Sequence, residues 1–232
     1  MFLDYQESDC YEQLLAYDFE NPMSPSHCVT IRPTDHELDI IAEDVKKLFH
    51  DKIQWYDIPI IINLASHHLK CFSNITIDSK RDSATHILFY VIENTHTLNL
   101  PETFFNPLFK NMTPHFVNII IQESLDVYLS SVKIKGNPTD LLVQEYANDI
   151  LKTFEDGFQW KDLATITKLG IMFANQFHDL HLEEKKATAI KFINYVIDNT
   201  DSKNLPEYYV DSIFKIVSGE TVEIIMDQLL IR

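Results

Sequence analysis

Apolar residues in this chain recur with a helical period. From Thr139 to about Asp156, Leu142, Tyr146, Ile150 and Phe154 fall at every fourth position, which puts them on one helix face. Thr139 is of the type that caps a helix start, and Gly157 is placed to end that helix as a left-handed cap. A second helix is expected from Asp162, its cap, through Phe177, with Ile166, Leu169 and Phe173 inward. A third follows from Glu183 and carries Ala189, Phe192, Ile193, Val196 and Ile197, with Asn199 at a left-handed exit. Pro206 and Glu207 open a fourth through about Val217, and Thr221 to Leu230 reads as a fifth. The run from Ile58 to Ile62 is β-branched, but Asp57 and Pro59 mark a helix start there. The expectation is an all-α protein.

The pattern occurs twice. Laying Gln54-Trp55 over Gln159-Trp160, which contain the chain's two tryptophans, aligns Pro33 to Asp126 with Pro138 to Ile231 without a gap. Roughly thirty positions are then identical, far above chance. Among them are Pro33-Thr34-Asp35 with Pro138-Thr139-Asp140, Tyr90-Val91 with Tyr195-Val196, and Asn99-Leu100-Pro101-Glu102 with Asn204-Leu205-Pro206-Glu207. The chain therefore divides into an N-terminal arm (1–32), a first repeat (33–130), a linker (131–137) broken by Gly136-Asn137-Pro138, and a second repeat (138–232). Each repeat is expected to form a bundle of about five helices joined by short turns.

Duplication also sorts candidate residues. Phe49 and Phe154, Trp55 and Trp160, and Tyr90 and Tyr195 recur because the same interior has to be filled twice, so they read as structural core. Asp57 and Asp162 read as helix caps and not as catalytic acids.

Charge changes the picture next. The chain carries 35 acidic and 19 basic residues, a net charge of −16. Such a surface repels phosphates, which argues against nucleic acid and anionic membrane surfaces as partners. Four glycines leave no Gly-rich loop to cradle a phosphate or dinucleotide. Cys10, Cys28 and Cys71 form no CxxC pair, which fits a reducing compartment. The longest apolar run is too short to span a bilayer, and the acidic start lacks the basic residues of a secretory leader. The expectation is an intracellular protein without membrane insertion and without a cofactor.

Candidate chemistry is sparse. His67 and Cys71 stand four apart on one helix face beside His68, but a structural zinc site needs further ligands and no return spacing supplies them. At the matched positions the second repeat has Met172, Phe173 and Gln176. No HExxH or GxSxG motif is present, so no catalytic or metal-binding residue is nominated. The arm differs in kind. Phe2, Tyr5, Tyr11, Tyr17 and Phe19 alternate loosely with acidic residues ahead of a Pro- and Ser-containing stretch. Aromatics in that setting suit either an extension packed on its own bundles or a strap that grips a neighbouring protein.

The second repeat contains a layout met elsewhere. Phe158-Gln159-Trp160 opens a helix of bulky apolar residues. Leu182-Glu183-Glu184-Lys185-Lys186 then leads into an Ile/Val-rich helix ending near Ile197. This resembles small helical proteins encoded by nucleocytoplasmic large DNA viruses. The first repeat departs from it at Ile75 to Arg81. The resemblance implies a virion component, such as a minor capsid or capsid-associated protein, and carries over no catalytic residues. The resulting expectation is a non-enzymatic structural or interaction protein that binds other proteins through its arm and bundle faces. The alternatives are an adaptor or host-signalling antagonist that accepts a partner helix, and an enzyme with an unrecognised carboxylate site.

Overall fold

The computed structural model describes residues 33–49, 53–72, 75–95, 112–122, 128–129, 132–154, 159–200 and 207–230, and at 160–161 and 207–209 it describes the backbone alone. The protein is all-α: among the described residues no strand occurs, and Ile134 and Phe177 form an isolated parallel bridge. The helices are α1 (Asp35–Lys46), α2 (Asp57–His68), α3 (Ile77–Glu93), α4 (112–120), α5 (Asp140–Leu151), α6 (Trp160–Ala174), α7 (Leu182–Asp198) and α8 (Glu207–Leu230). Short 3-10 turns follow α2 (Leu69–Cys71) and α5 (Lys152–Phe154).

Helices α1 and α5 start and end at matched positions of the sequence alignment, as do α3 and α7. Local chemistry explains the starts. Thr34 Oγ1 accepts the N–H of Glu37 at 3.3 Å, and Glu37 Oε2 accepts the N–H of Thr34 at 2.7 Å, a reciprocal cap. Thr139 caps α5 by accepting from Leu142 at 3.2 Å, but leucine cannot answer. Thr76 caps α3 through Ser79, whereas α7 opens on a His181–Glu184 box.

Three local expectations are corrected. Asn94 and Asn199 are not left-handed, with φ of −104° and −114°. Each instead donates its side-chain N–H to the carbonyl of Tyr90 or Tyr195, at 2.9 and 2.8 Å, satisfying a helix-end acceptor. Asp162 is not the first cap of its helix: α6 begins at Trp160, and the Asp162 carboxylate reaches back to the N–H of Gln159 at 2.9 Å. The expected fourth and fifth helices of the second repeat are one, because α8 runs unbroken through Ser218 and Gly219. The position matched to Gly219 is Pro114, in the first described turn of α4. Proline lacks the N–H a continuous helix needs there; glycine only weakens it. Gly157 lies outside the described residues.

Helices α1, α2 and α3 pack on one another, as do α6, α7 and α8, while α5 lies on α7. Helix α8 also lies against α2, so helices of the two sequence units touch. Across this seam Gln228 Nε2 donates to Asn63 Oδ1 at 3.0 Å. The buried apolar residues of both units form one contiguous cluster, from Leu38 and Ile61 through Phe116 to Phe192 and Ile225. Where the linker approaches the second unit, the Ile134 N–H donates to the Gln176 carbonyl at 2.7 Å. Gly136 turns the chain there at φ +88°, a conformation that L side chains resist.

Candidate functional site

The arm residues nominated for partner binding, Phe2, Tyr5, Tyr11, Tyr17 and Phe19, lie outside the described residues. The nominated interior residues take different positions. Phe49 is buried, while Trp55 and Phe154 are partly buried against the core. Tyr90 and Tyr195 pack at its margin with their hydroxyls outward. The Tyr90 hydroxyl donates to Glu43 Oε1 at 2.8 Å, and the Tyr195 hydroxyl to Asn148 Oδ1 at 3.3 Å. Glu43 and Asn148 are themselves matched positions, so one contact is made twice with different acceptors. Of Trp160 only the backbone is described.

At the end of α2, desolvation and the neighbouring Lys70, His68 and Lys80 hold the His67 imidazole below its ordinary range. Desolvation lowers His68 too, against an opposing pull from Asp44. Both rings thus favour the neutral form that a metal ion takes. Cys71 donates its thiol to the His68 carbonyl at 2.9 Å, and among the described residues no group of three or more His, Cys, Asp or Glu is arranged to hold a metal ion.

The densest polar chemistry lies where α7 and α8 pack together. Lys186 is buried on α7, its side chain 8% exposed, and its ammonium reaches Glu223 at 2.7 Å, Asp227 at 2.8 Å and Glu183 at 3.1 Å. Burial alone lowers a lysine, but hydrogen bonds to Asp227, Glu223 and Glu183 outweigh it and the net shift is upward, so Lys186 is a permanent cation. At the matched position of the first unit Arg81 donates Nε to the Ile121 carbonyl at 3.1 Å and lies 3.6 Å from Asp78. A cation is thus held at the same place in both.

Asp57, at the start of α2, is 4% exposed, and its Oδ2 accepts the N–H of Gln54 at 2.6 Å. Burial pushes its carboxyl up to about 6, against the opposing pull of that hydrogen bond. Glu220 on α8 is pushed up to about 7 by burial first, then by the charges of Glu223 and Asp57. The arrangement can hold and release protons near neutral pH.

Sequence reasoning nominated none of Lys186, Glu220 or Glu223. One signal was available: Lys186 stands three before Ala189 and seven before Ile193, on the inward stripe of its helix. Comparison of the chain with protein families, with curated proteins and with solved structures finds no match in any of the three.

Proposed function

We propose that this protein is a non-enzymatic structural or interaction protein, two related helical units in tandem that bind other proteins through the N-terminal arm and the bundle faces. The carrying observation is the pairing of α1 with α5 and of α3 with α7 at matched positions, with repeated hydrogen bonds at Tyr90/Tyr195 and Asn94/Asn199. Of their large shared side chains, Phe49, Trp55, Tyr90, Phe154 and Tyr195 lie in or against the apolar core. Two similar units side by side suit a repetitive or pseudo-symmetric assembly, and the viral resemblance gives that assembly a concrete form, a virion in which the chain is a minor capsid or capsid-associated component. Location in host cytoplasm or virion follows from the same reading.

Light scattering coupled to size exclusion, with co-purification from native lysate, tests it. An oligomer or a stoichiometric protein partner is expected, and a monomer with no partner removes its basis. Alanine at Phe2, Tyr5, Tyr11, Tyr17 and Phe19 in the full chain should abolish partner capture. Capture that survives intact favours the adaptor reading, in which a groove takes a partner helix.

A second reading, acid–base chemistry at the α2–α8 seam, is favoured by one observation. Glu220, Glu223 and Asp227 are matched in the first unit by His115, Asn118 and Gln122, so fold duplication alone does not account for these carboxylates. Against it, Lys186 engages two of the three, and Asp57 is committed to the Gln54 N–H.

A further inference from the structure

Each unit makes a short turn after its second helix, and the two turns are built alike. The Phe177 N–H donates to the Ala174 carbonyl at 3.2 Å, and at the matched positions the Phe72 N–H donates to the Leu69 carbonyl at 3.3 Å. Both phenylalanines are buried. On the second unit this turn is gripped by the linker that leads into the unit. Ile134 bridges Phe177 in parallel, its N–H donates to the Gln176 carbonyl at 2.7 Å, and its own carbonyl lies 2.9 Å from His178 Nδ1. Two positions on, the Gly136 N–H donates to Asp179 Oδ2 at 3.0 Å. The Ile134 side chain is partly buried against the core. Backbone pairing of this kind asks for an extended segment with a β-branched residue at the contact, and for little else.

The repeat alignment continues upstream of Pro33 without a gap. Val29 falls on Ile134, and it precedes Pro33 by as many residues as Ile134 precedes Pro138. Val29, Thr30 and Ile31 are all β-branched, as an extended segment favours. We propose that the end of the N-terminal arm, residues 28–30, is a strap laid in extended form beside the turn at 69–72 of its own unit, with Val29 paired to Phe72 as Ile134 is to Phe177. The reach is the same on both units, because α1 and α5 begin at matched positions and so do the turns. The likeness stops at Gly136, whose φ of +88° the matched Ile31 resists, so the paired part ends by Thr30. This inference does not depend on what the aromatic positions of the arm bind; it puts the anchor downstream of them.

The register supplies its own test. Ile134 beside Phe177 puts Lys133 beside Gln176, and the residues matched to that pair are Cys28 and Cys71. Paired strands lie about 4.8 Å apart, within the about 4.4–6.8 Å that a disulfide spans between Cα atoms. Mild oxidation of the full chain with oxidised glutathione, followed by peptide mapping, should give an intramolecular Cys28–Cys71 link as the main product. Loop closure alone favours Cys10 with Cys28 by about fourfold, so in urea that pair should take over. Val29→Asp in the folded chain should lower the Cys28–Cys71 fraction several-fold. Hydrogen exchange reads the strap without the thiols: the Val29 amide, like that of Ile134, should exchange on the order of tenfold or more below its intrinsic rate. A main Cys10–Cys28 product in the folded chain, a Cys28–Cys71 link between molecules, or a fraction unmoved by Val29→Asp overturns the proposal. So does a Val29 amide that exchanges at its intrinsic rate, and should the thiols resist oxidation, that amide decides the matter.

Discussion

Two glycines one helix apart have opposite roles, and the contrast shows how each residue is judged by its surroundings. A Cβ at Gly170 would come within 2.8 Å of Ile193 Cγ1 and 3.1 Å of the Ala189 carbonyl oxygen, at the closest approach of α6 to α7. The matched position is Ala65, and the residue matched to Ile193 is Leu88, which is not branched at Cβ. Alanine gains about 1 kcal/mol of helix propensity over glycine, but overpacking against a β-branched stem costs about 1–3 kcal/mol. Gly170→Ala should therefore destabilise by about 1 kcal/mol in urea unfolding. Around Gly219 a Cβ meets nothing within 4 Å, and Gly219→Ala should stabilise by about 1 kcal/mol in the same assay. Lys186 supplies a third case. Lys186→Met strands the carboxylates of Glu183, Glu223 and Asp227; because these are partly exposed, the cost is about 2 kcal/mol, below that of a fully buried pair. Lys186→Arg should recover most of it, as the first unit already holds Arg81 there.

At the level of the element, helix ends were the most readable feature of the sequence and also the place where reading failed most often. Thr34 and Thr139 announce α1 and α5 because a hydroxyl before an acidic first turn has few other roles. Asn94 and Asn199 misled because asparagine can end a helix in two ways, by a left-handed backbone or by its side-chain amide, and sequence does not choose between them. The break expected near Gly219 failed for a tertiary reason. Val217, Ser218, Thr221 and Val222 are all buried, so packing on α7, α6 and α2 holds the helix straight through the glycine. The candidate site was legible only in fragments: Asp57 is readable as a helix-start residue, but the Glu223 and Asp227 partners of Lys186 come from a different helix, some forty positions further along the chain. Cap strength follows from the same contacts. Thr34→Ala should cost about 1–2 kcal/mol and Thr139→Ala about 1 kcal/mol or less, measured by chemical unfolding, because Glu37 answers the first cap and Leu142 cannot answer the second.

For the whole molecule the decisive feature is that α8 packs on helices of its own unit and on α2 of the other. Buried side chains from both units join in one cluster, so loosening either should loosen both. In the assembly role proposed above, two related units joined in one body would match a repetitive partner better than two tethered domains do. The tryptophans offer the most direct test, since Trp55 belongs to the first unit and Trp160 to the second. Single-tryptophan chains, Trp55→Phe and Trp160→Phe, unfolded in urea and followed by fluorescence, should each give the same midpoint as the far-ultraviolet dichroism of the same chain. A tryptophan transition well separated from the loss of helix in either chain would mean that the units unfold independently, and would contradict a single two-unit body.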